Sequence, residues 1–212
     1  ATVKPLDAKR NADGTVTVTT TQECRYANGK ITTDYVYTMD ADGSVDFSAT
    51  YTPEGQLPPL PCIGNTFLMD KDMTRLSWYG QGLQDSYVDR LEATGIGRWT
   101  SSVDQEYVHY PRPQSSGNHE QTVTLSLTDA KGRGYTVTTA NATPFAFSAL
   151  PYSEHQLSTV AHDCDLHTEN NVFLNIDAAM MGLGNSSCGP GVLTKYSIPQ
   201  KQHSLHVMFK RK

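Results

Sequence analysis

The sequence predicts an all-β fold, in the form of a large antiparallel β-sandwich. Short segments rich in Val, Thr, Tyr and Ile alternate with turns containing Gly, Asn and Asp through most of the 212 residues. In several segments every second side chain is apolar, which is the period of a strand with one buried face. A chain of this length suits one large all-β domain, so we expect residues 1–212 to form a single domain.

The first elements form a predicted β-meander over residues 14–52. Alternation begins at Gly14 to Thr21, and Asn28-Gly29 and Asp42-Gly43 are typical of the turns between successive strands. Residues 53–62 are rich in proline, and we predict that they cross between two sheets rather than between two domains.

The later elements are predicted in the same way. The predicted strands are Phe67 to Trp78, the pair Val123 to Leu127 and Gly134 to Thr139, Phe145 to Ala149, Asn171 to Ile176, and a closing pair Tyr196 to Ile198 and His203 to Phe209. Residues 80–100 are rich in Gly and Asp and are predicted to form a long structured loop. A short helix is predicted from Ser153, a good N-cap, to about His162.

Composition excludes several functions. The net charge is −5, and the only basic block is the terminal Lys210-Arg211-Lys212, so we expect no nucleic-acid partner. No apolar run approaches the roughly 18 residues needed to cross a bilayer, and we expect no membrane partner. Ala1 to Lys4 do not form a signal peptide.

The cysteines are widely spaced and contain no CxxC pair; they are Cys24, Cys62, Cys164 and Cys188. Their even number allows two disulfides, but we favour buried thiols that behave as small apolar side chains.

The first candidate segment contains an aromatic pair and a charged pair. Trp78 and Tyr79, followed by Gly80, could stack on the face of a sugar, although a core position is favoured for Trp78. Asp89 and Arg90 could bind hydroxyl groups or form a structural ion pair, and the ion pair is favoured.

The second group of candidates contains histidine and aspartate. His162, Asp163, Asp165 and His167 have the residue types of a metal site, but their spacing is poor for zinc, so we expect no metal and a packing role for His162. Asp177 could contact a hydroxyl or cap the following turn, and the cap is favoured. No pair of glutamates has a context that indicates glycoside hydrolysis.

The loop after Asp177 has a composition that lets other groups come close to its backbone. Gly182, Gly184, Gly189 and Gly191 bring no side chain. Short hydrogen-bonding side chains come from Asn185, Ser186 and Ser187.

Together these motifs resemble the C-terminal domain (domain 5, similar to the small chain) of β-galactosidases of glycoside hydrolase family two, over residues 65–198. The matching stretches, in the family order, are Trp78-Tyr79-Gly80-x-Gly82, Tyr87-x-Asp89-Arg90, Pro113-Gln114 with Gly117-Asn118, Pro144-Phe145-x-Phe147-Ser148-Ala149 with Tyr152, Leu157 and His162, Asn175-Ile176-Asp177, Met181-Gly182-x-Gly184, and Ser187-x-Gly189-Pro190. An ordered set of this kind is specific even though each motif is short.

The resemblance implies a "supersandwich" fold similar to galactose mutarotases. It also implies that the catalytic glutamates lie in a preceding TIM barrel, which a chain of this length cannot contain. We therefore expect a C-terminal fragment of a larger β-galactosidase that is inactive alone, packs on the barrel and lends a loop to the sugar-binding rim.

The resemblance also assigns roles to residues. The family's rim loop carries a tryptophan that stacks on the sugar, and Cys188 stands at that position here. The expected rim residues are Cys188, Ser187, Asn185, Asp177 and His162. The expected structural residues are Trp78, Tyr79, Gly80, Asp89, Arg90 and Gln114, and no residue of this chain is expected to be catalytic.

The expected partners are the rest of the same polypeptide and a carbohydrate, and the full-length enzyme is expected to be a homo-oligomer. No cofactor is expected in this fragment, with Mg²⁺ or Na⁺ possible in the full-length enzyme. Localisation stays open between periplasmic, secreted and cytoplasmic.

Two alternatives remain at this point. The first is a free-standing carbohydrate-binding module that presents Trp78, Tyr79, Trp99 or Tyr110. The second is a mutarotase-like epimerase that uses His162 with Asp177, which rests on analogy of fold alone.

Overall fold

The computed structural model describes residues 1–186 and 188–212 and consists mainly of β-strands. The strands are β1 (Thr2–Val3), β2 (Asp7–Arg10), β3 (Val16–Tyr26), β4 (Asn28–Met39), β5 (Val45–Gln56), β6 (Cys62–Asp70), β7 (Arg75–Gly82), β8 (Gly95–Ser102), β9 (His119–Thr122), β10 (Thr124–Thr128), β11 (Gly134–Thr139), β12 (Phe145–Leu150), β13 (Asn171–Met180) and β14 (His203–Arg211). The α-helices are α1 (Val103–Glu106) and α2 (Glu154–Thr159), and short 3₁₀ turns cover Leu91–Ala93, Asp163–Asp165 and Thr194–Tyr196.

Within the described residues the strands form two antiparallel sheets. The ten-stranded sheet has the order β1-β3-β4-β5-β14-β11-β10-β7-β8, with β2 also paired to β3, and the small four-stranded sheet has the order β6-β13-β12-β9. The chain passes from the large sheet to the small one between the end of β5 and the start of β6, so the predicted crossing in the proline-rich segment is confirmed.

The core lies between the two sheets and follows from alternation of side chains along the strands. The large sheet contributes Phe47, Ala49, Tyr51, Leu76, Trp78, Leu125, Leu127, Val137, Leu205, Val207 and Phe209. The small sheet contributes Ile63, Met69, Phe145, Phe147, Ala149, Val172, Leu174 and Ile176. The predicted all-β sandwich is confirmed.

Several local predictions are also confirmed. The meander is formed by β3, β4 and β5, paired in sequence, and the predicted pair of strands is β10 with β11. Ser153 caps α2, since its side chain accepts a hydrogen bond from the backbone N–H of Gln156 at 3.2 Å. The helix ends at Thr159, three residues earlier than predicted.

Other predictions were wrong in their boundaries. Residues 67–78 are not one strand, because a turn separates β6 from β7 and Asp70 Oδ1 accepts the N–H of Asp72 within it at 2.9 Å. The second half of the predicted loop at 80–100 contains the start of β8. Residues 196–198 are not a strand, and β14 instead lies between β5 and β11.

The cysteine prediction was right about free thiols and wrong about their burial. All four cysteines, each within the described residues, are free thiols; Cys24 is half-buried and the other three are exposed. Among the described residues, no helix is both long and apolar enough to cross a membrane.

Candidate functional site

The candidate site is a cavity of about 280 Å³ on the outer face of the small sheet, away from the core. Strands β6, β12 and β13 form its floor. Its walls come from Tyr87, residues 115–118, Glu154 at the start of α2, and residues 180–183.

The floor is polar because of strand alternation. Leu174 and Ile176 point into the core, so Asn175 between them points outward. The register places Thr66 and Ser148 on either side of Asn175. Thr66 Oγ1 donates to Asn175 Oδ1 at 2.6 Å, and Asn175 Nδ2 donates to Ser148 Oγ at 3.0 Å.

Asp177 is the most deeply buried ionisable side chain of the cavity, with 4% of its surface exposed. It lies within β13 rather than at its end, opposite Gly64 on one side and Ala146 on the other. A Cβ atom at Gly64 would overlap the Asp177 carboxylate, so glycine at this position makes the space that Asp177 occupies. The predicted role of Asp177 as a turn cap was therefore wrong.

The Asp177 carboxylate accepts no hydrogen bond from any other residue that the structure describes. Burial, together with the smaller effect of the nearby carboxylates of Glu120 and Glu154, raises its pKa to about 8. At neutral pH the carboxyl group therefore carries its proton for most of the time.

Asn118 and Glu120 lie beside the cavity. Asn118 Nδ2 donates to the backbone carbonyl of Ser86 at 2.8 Å and to Glu120 Oε1 at 3.2 Å, whereas Asn118 Oδ1 is buried without a partner among the described residues. Burial raises the pKa of Glu120 to about 7, although the hydrogen bond from Asn118 opposes this shift. The cavity thus brings acceptors and titratable carboxyl groups together.

Asp89 and Arg90 hold the glycine-rich loop that follows strand β13. Asp89 Oδ2 accepts the N–H of Gly184 at 2.8 Å, and Arg90 Nη2 donates to the carbonyl of the same glycine at 3.0 Å. A Cβ at Gly182 would lie 2.7 Å from the carboxyl carbon of Asp89, so the absence of a side chain there permits the contact. The two side chains do not pair with each other, and the predicted ion pair between them was wrong; both bind loop backbone instead.

The same loop first walls the cavity and then turns outward. Gly182 and Leu183 line the cavity. Beyond them the carbonyl of Asn185 accepts the N–H groups of Cys188 at 3.1 Å and of Gly189 at 2.6 Å, which closes a tight turn with an exposed Cys188. The predicted rim residue Ser187 lies outside the described residues.

The tryptophans are structural. Trp78 is 2% exposed, and its Nε1–H donates to the carbonyl of Gln81 at 2.8 Å. Trp99 packs over Gly82 and donates to the carbonyl of Gly80 at 3.1 Å. Tyr79 is 39% exposed, and the Arg98 guanidinium lies 5.5 Å from its ring centre.

The remaining predicted residues lie apart from the cavity. His162 is exposed ahead of a 3₁₀ turn and does not line the cavity, so the structure does not bring it together with Asp177. Gln114 is exposed in a neighbouring groove beside Arg112. Asp163 Oδ2 forms a hydrogen bond with His109 Nδ1 at 2.8 Å. No group of three His, Cys, Asp or Glu side chains suited to a metal occurs among residues 1–186 and 188–212.

Sequence reasoning missed Asn118, Glu120 and the buried pair Glu106 and His119. Asn118 belongs only to the family motif that contains Gly117-Asn118, and Glu120 belongs to no motif. The available signal was the segment Asn118-His119-Glu120, in which three polar residues directly follow a glycine and precede a Thr-rich strand. Their burial depends on pairing with β12, which the segment itself does not reveal.

Comparison with known proteins places this architecture in a family. The family model described as "Beta galactosidase small chain" matches residues 2–209. The chain is 35% identical over 186 residues to the β-galactosidase BgaC of Bifidobacterium adolescentis, a match that covers 85% of this chain and 17% of that protein. It is 34% identical over 148 residues to a β-galactosidase of Streptococcus thermophilus, covering 70% of this chain and 14% of the relative.

A third relative is a β-galactosidase of Kluyveromyces lactis, 31% identical over 163 residues, with 76% of this chain and 16% of the relative covered. The chain therefore spans about one sixth of the length of the curated relatives that it matches. The family match extends over almost the whole chain, well beyond the 65–198 region of the motifs. On this basis the chain belongs to the β-galactosidase small-chain family.

Proposed function

We propose that this chain is the non-catalytic C-terminal domain of a β-galactosidase of glycoside hydrolase family two, and that the full-length enzyme hydrolyses terminal β-D-galactosides. The observation that carries the proposal is the family match over residues 2–209, combined with the small fraction of each relative that the chain spans. In this arrangement the catalytic carboxylates belong to the rest of the polypeptide.

The domain has two roles in the parent enzyme. The outer face of the small sheet packs on the catalytic domain, which suits an open cavity on that face with Asn175, Ser148 and Asp177 on its floor. The loop anchored by Asp89 and Arg90 extends from the same face and carries the exposed Cys188 to the sugar-binding rim. The backbone of Asn185 closes the turn that presents Cys188.

Cys188 makes this rim different from that of an enzyme with an aromatic side chain there. A thiol has no aromatic face, and stacking of the kind it replaces contributes on the order of 1 kcal/mol. We infer weaker recognition of the galactosyl ring at this subsite, with the remaining contacts supplied by the catalytic domain. We also propose that any requirement for Mg²⁺ or Na⁺ is met by the catalytic domain.

A free-standing carbohydrate-binding module is not favoured. Its two candidate indole platforms, Trp78 and Trp99, use their rings to pack on the protein and their N–H groups to bind backbone carbonyls. An epimerase is not favoured either, because His162 does not share the cavity of Asp177.

The test is hydrolysis of a chromogenic β-galactoside by this chain alone, by the full-length protein, and by full-length variants. We expect turnover only at full length, and we expect Cys188→Trp to lower KM about fivefold with a smaller change in kcat. Cys164→Trp is the matched control, because it places the same side chain at an exposed cysteine of a 3₁₀ turn. Turnover by the isolated chain would contradict the proposal, and equal effects of the two substitutions would remove Cys188 from the rim.

A further inference from the structure

The cavity on the outer face of the small sheet holds more hydrogen-bond acceptors than donors. Asp177 is 4% exposed, lines the cavity and accepts no hydrogen bond from another described residue. Asn118 Oδ1 also belongs to a side chain of the cavity wall and is buried without a partner in the part of the chain that the structure describes. A third acceptor on the wall is the carboxylate of Glu154, which accepts one hydrogen bond from Ser115 Oγ at 2.5 Å and has capacity for more.

Such groups are normally paired, because burial of an unpaired carboxylate or amide oxygen costs free energy. None of the described residues that line this cavity is Lys, Arg or His. Asn175, Ser148 and Thr66 bond to one another, and Ser115 donates to Glu154 Oε2, so Asp177 and Asn118 Oδ1 are left without a donor among the described residues. The missing partner is therefore a group rich in N–H donors, and a positive charge suits it best.

We propose that this cavity receives the guanidinium group of an arginine side chain from the catalytic part of the polypeptide. This inference rests on the proposed function, which makes that part of the polypeptide the neighbour of this face. It goes further by naming the chemical group that docks and the residues that bind it: Asp177, Asn118 and Glu154.

Arginine fits for three reasons. Its planar fork carries five N–H donors, so one group can serve a carboxylate and an amide oxygen together. The volume of about 280 Å³ lies just below the range of about 300–1,000 Å³ for drug-sized ligands, which suits a single long side chain. Met181 and Leu183 on the wall offer apolar surface to the methylene stem.

Docking of an arginine changes the protonation of Asp177. The titratable groups that face this carboxyl are Glu120, Glu154, the hydroxyl of Tyr51 and the thiol of Cys62, and none of them is cationic. Since burial raises the pKa of Asp177 to about 8, the isolated domain holds the proton at pH 7. A guanidinium beside it favours the carboxylate, so association releases a proton.

The experiment measures association between this chain and the catalytic part of its own polypeptide, produced as a separate chain. Titration calorimetry in buffers of different ionisation enthalpy gives the Kd and the number of protons released. Wild type is compared with Asp177→Asn and with Asp7→Asn, which removes a carboxylate from the exposed strand β2. Near-ultraviolet circular dichroism checks that each variant is folded.

We expect Asp177→Asn to weaken association at least tenfold at pH 7 and to release about one proton fewer, because truncating one partner of a buried charge pair leaves the other charge unpaired. Asp7→Asn should match wild type. Methylguanidinium chloride should compete with association more strongly than sodium chloride at the same ionic strength, which tests the cavity without any substitution.

The outcomes separate the two proposals. If the two chains associate and gain β-galactosidase activity, but Asp177→Asn leaves the affinity and the proton release unchanged, the arginine inference is wrong and the proposed function stands. Displacement by D-galactose but not by methylguanidinium would also overturn it, by making the cavity a sugar site. Failure of the wild-type chains to associate or to gain activity would overturn the proposed function and the inference with it.

Discussion

Two buried carboxylates of this chain have opposite surroundings. Glu106 is 7% exposed and bonds through Oε2 to Nε2 of His119 at 2.5 Å, and the imidazole is fully buried against Trp78 and Phe147 between the sheets. Asp177 is 4% exposed on the outer face of the small sheet and has no such partner among the described residues. The carboxylate between the sheets thus has a hydrogen-bond partner within the chain, whereas the one on the outer face has none among the described residues.

This difference indicates that Glu106 contributes to the stability of the domain, whereas Asp177 is suited to contact with a neighbouring group. A buried carboxylate with a partner in the same chain is costly to disturb, because its removal leaves the partner unsatisfied. One without a partner is a cost to the isolated domain, and only a neighbouring group could offset it. Substitutions at the two sites should therefore change the free energy of unfolding in opposite directions.

The largest effect is expected at the interior pair. Glu106→Ala removes the partner of His119 Nε2, and the other ring nitrogen, Nδ1, has no partner among the residues that the structure describes. We expect the free energy of unfolding to fall by about 3 kcal/mol, measured by urea denaturation of the isolated chain. Asp104→Ala is the matched control, since it lies in the same helix α1 with an exposed side chain. A similar loss in both variants would mean that the helix, not the pair, is responsible.

The next effect is expected at Gly64, where space rather than charge is at issue. Gly64→Ala places a methyl group into the Asp177 carboxylate and the backbone oxygen of Ile176. Overpacking of this kind should cost about 2 kcal/mol in unfolding free energy. Gly95→Ala is the control, since a Cβ there meets no atom within 4 Å. If both substitutions lowered the free energy of unfolding equally, the idea that Gly64 makes the space for the Asp177 carboxylate would be wrong.

These two regions also show what could be predicted from sequence. Local signals were sufficient for the turn at Asp42-Gly43 and for the cap at Ser153, because each depends on neighbours within a few residues. The turn predicted at Asn28-Gly29 lies one residue earlier, since Gly29 already pairs with Tyr26. The order of the family motifs was sufficient for the fold. Motif residues Asp89, Gly182 and Gly184 do meet in space, although as backbone contacts rather than an ion pair.

The candidate site was predicted less well because it depends on pairing between distant strands. The apolar alternation ends at Ile176 and therefore predicts that the strand ends before Asp177. Pairing with β6 nevertheless continues through a bulge to Met180. Nothing local to Asp177 reveals that Gly64 lies opposite it. The pair of Glu106 and His119 was equally hidden, since α1 is too short to show a helical period.

A smaller effect, of opposite sign, is expected at Asp177. Because its pKa rises to about 8 in the folded chain from an ordinary value of 3.8, folding takes up a proton between about pH 4 and 8. The stability of the isolated chain should therefore fall as pH rises through this window and level off above it. Asp177→Asn removes this dependence and should raise the free energy of unfolding at pH 8 by at least about 1 kcal/mol.

The measurement is urea denaturation of the isolated wild type and Asp177→Asn at pH 5, 6.5 and 8. Some dependence should remain in the variant, because burial also raises the pKa of Glu120, to about 7. Destabilisation by Asp177→Asn at pH 8 would show that the carboxylate supports the isolated fold, and the contrast with Glu106 would then be lost.

The smallest effect is expected at the cap of α2, which tests the wall of the cavity rather than its floor. Ser153→Ala removes the acceptor of the Gln156 N–H, and loss of such a cap typically costs about 1 kcal/mol. The helix carries Glu154 at the cavity wall and buries Leu157, so its first turn should fray while its packing persists. Hydrogen exchange of the Gln156 amide, together with urea denaturation, checks this. Ser158→Ala is the control within the same helix, because its hydroxyl donates to the carbonyl of His155 and caps no N–H group; an equal loss there would point to helix propensity instead of capping.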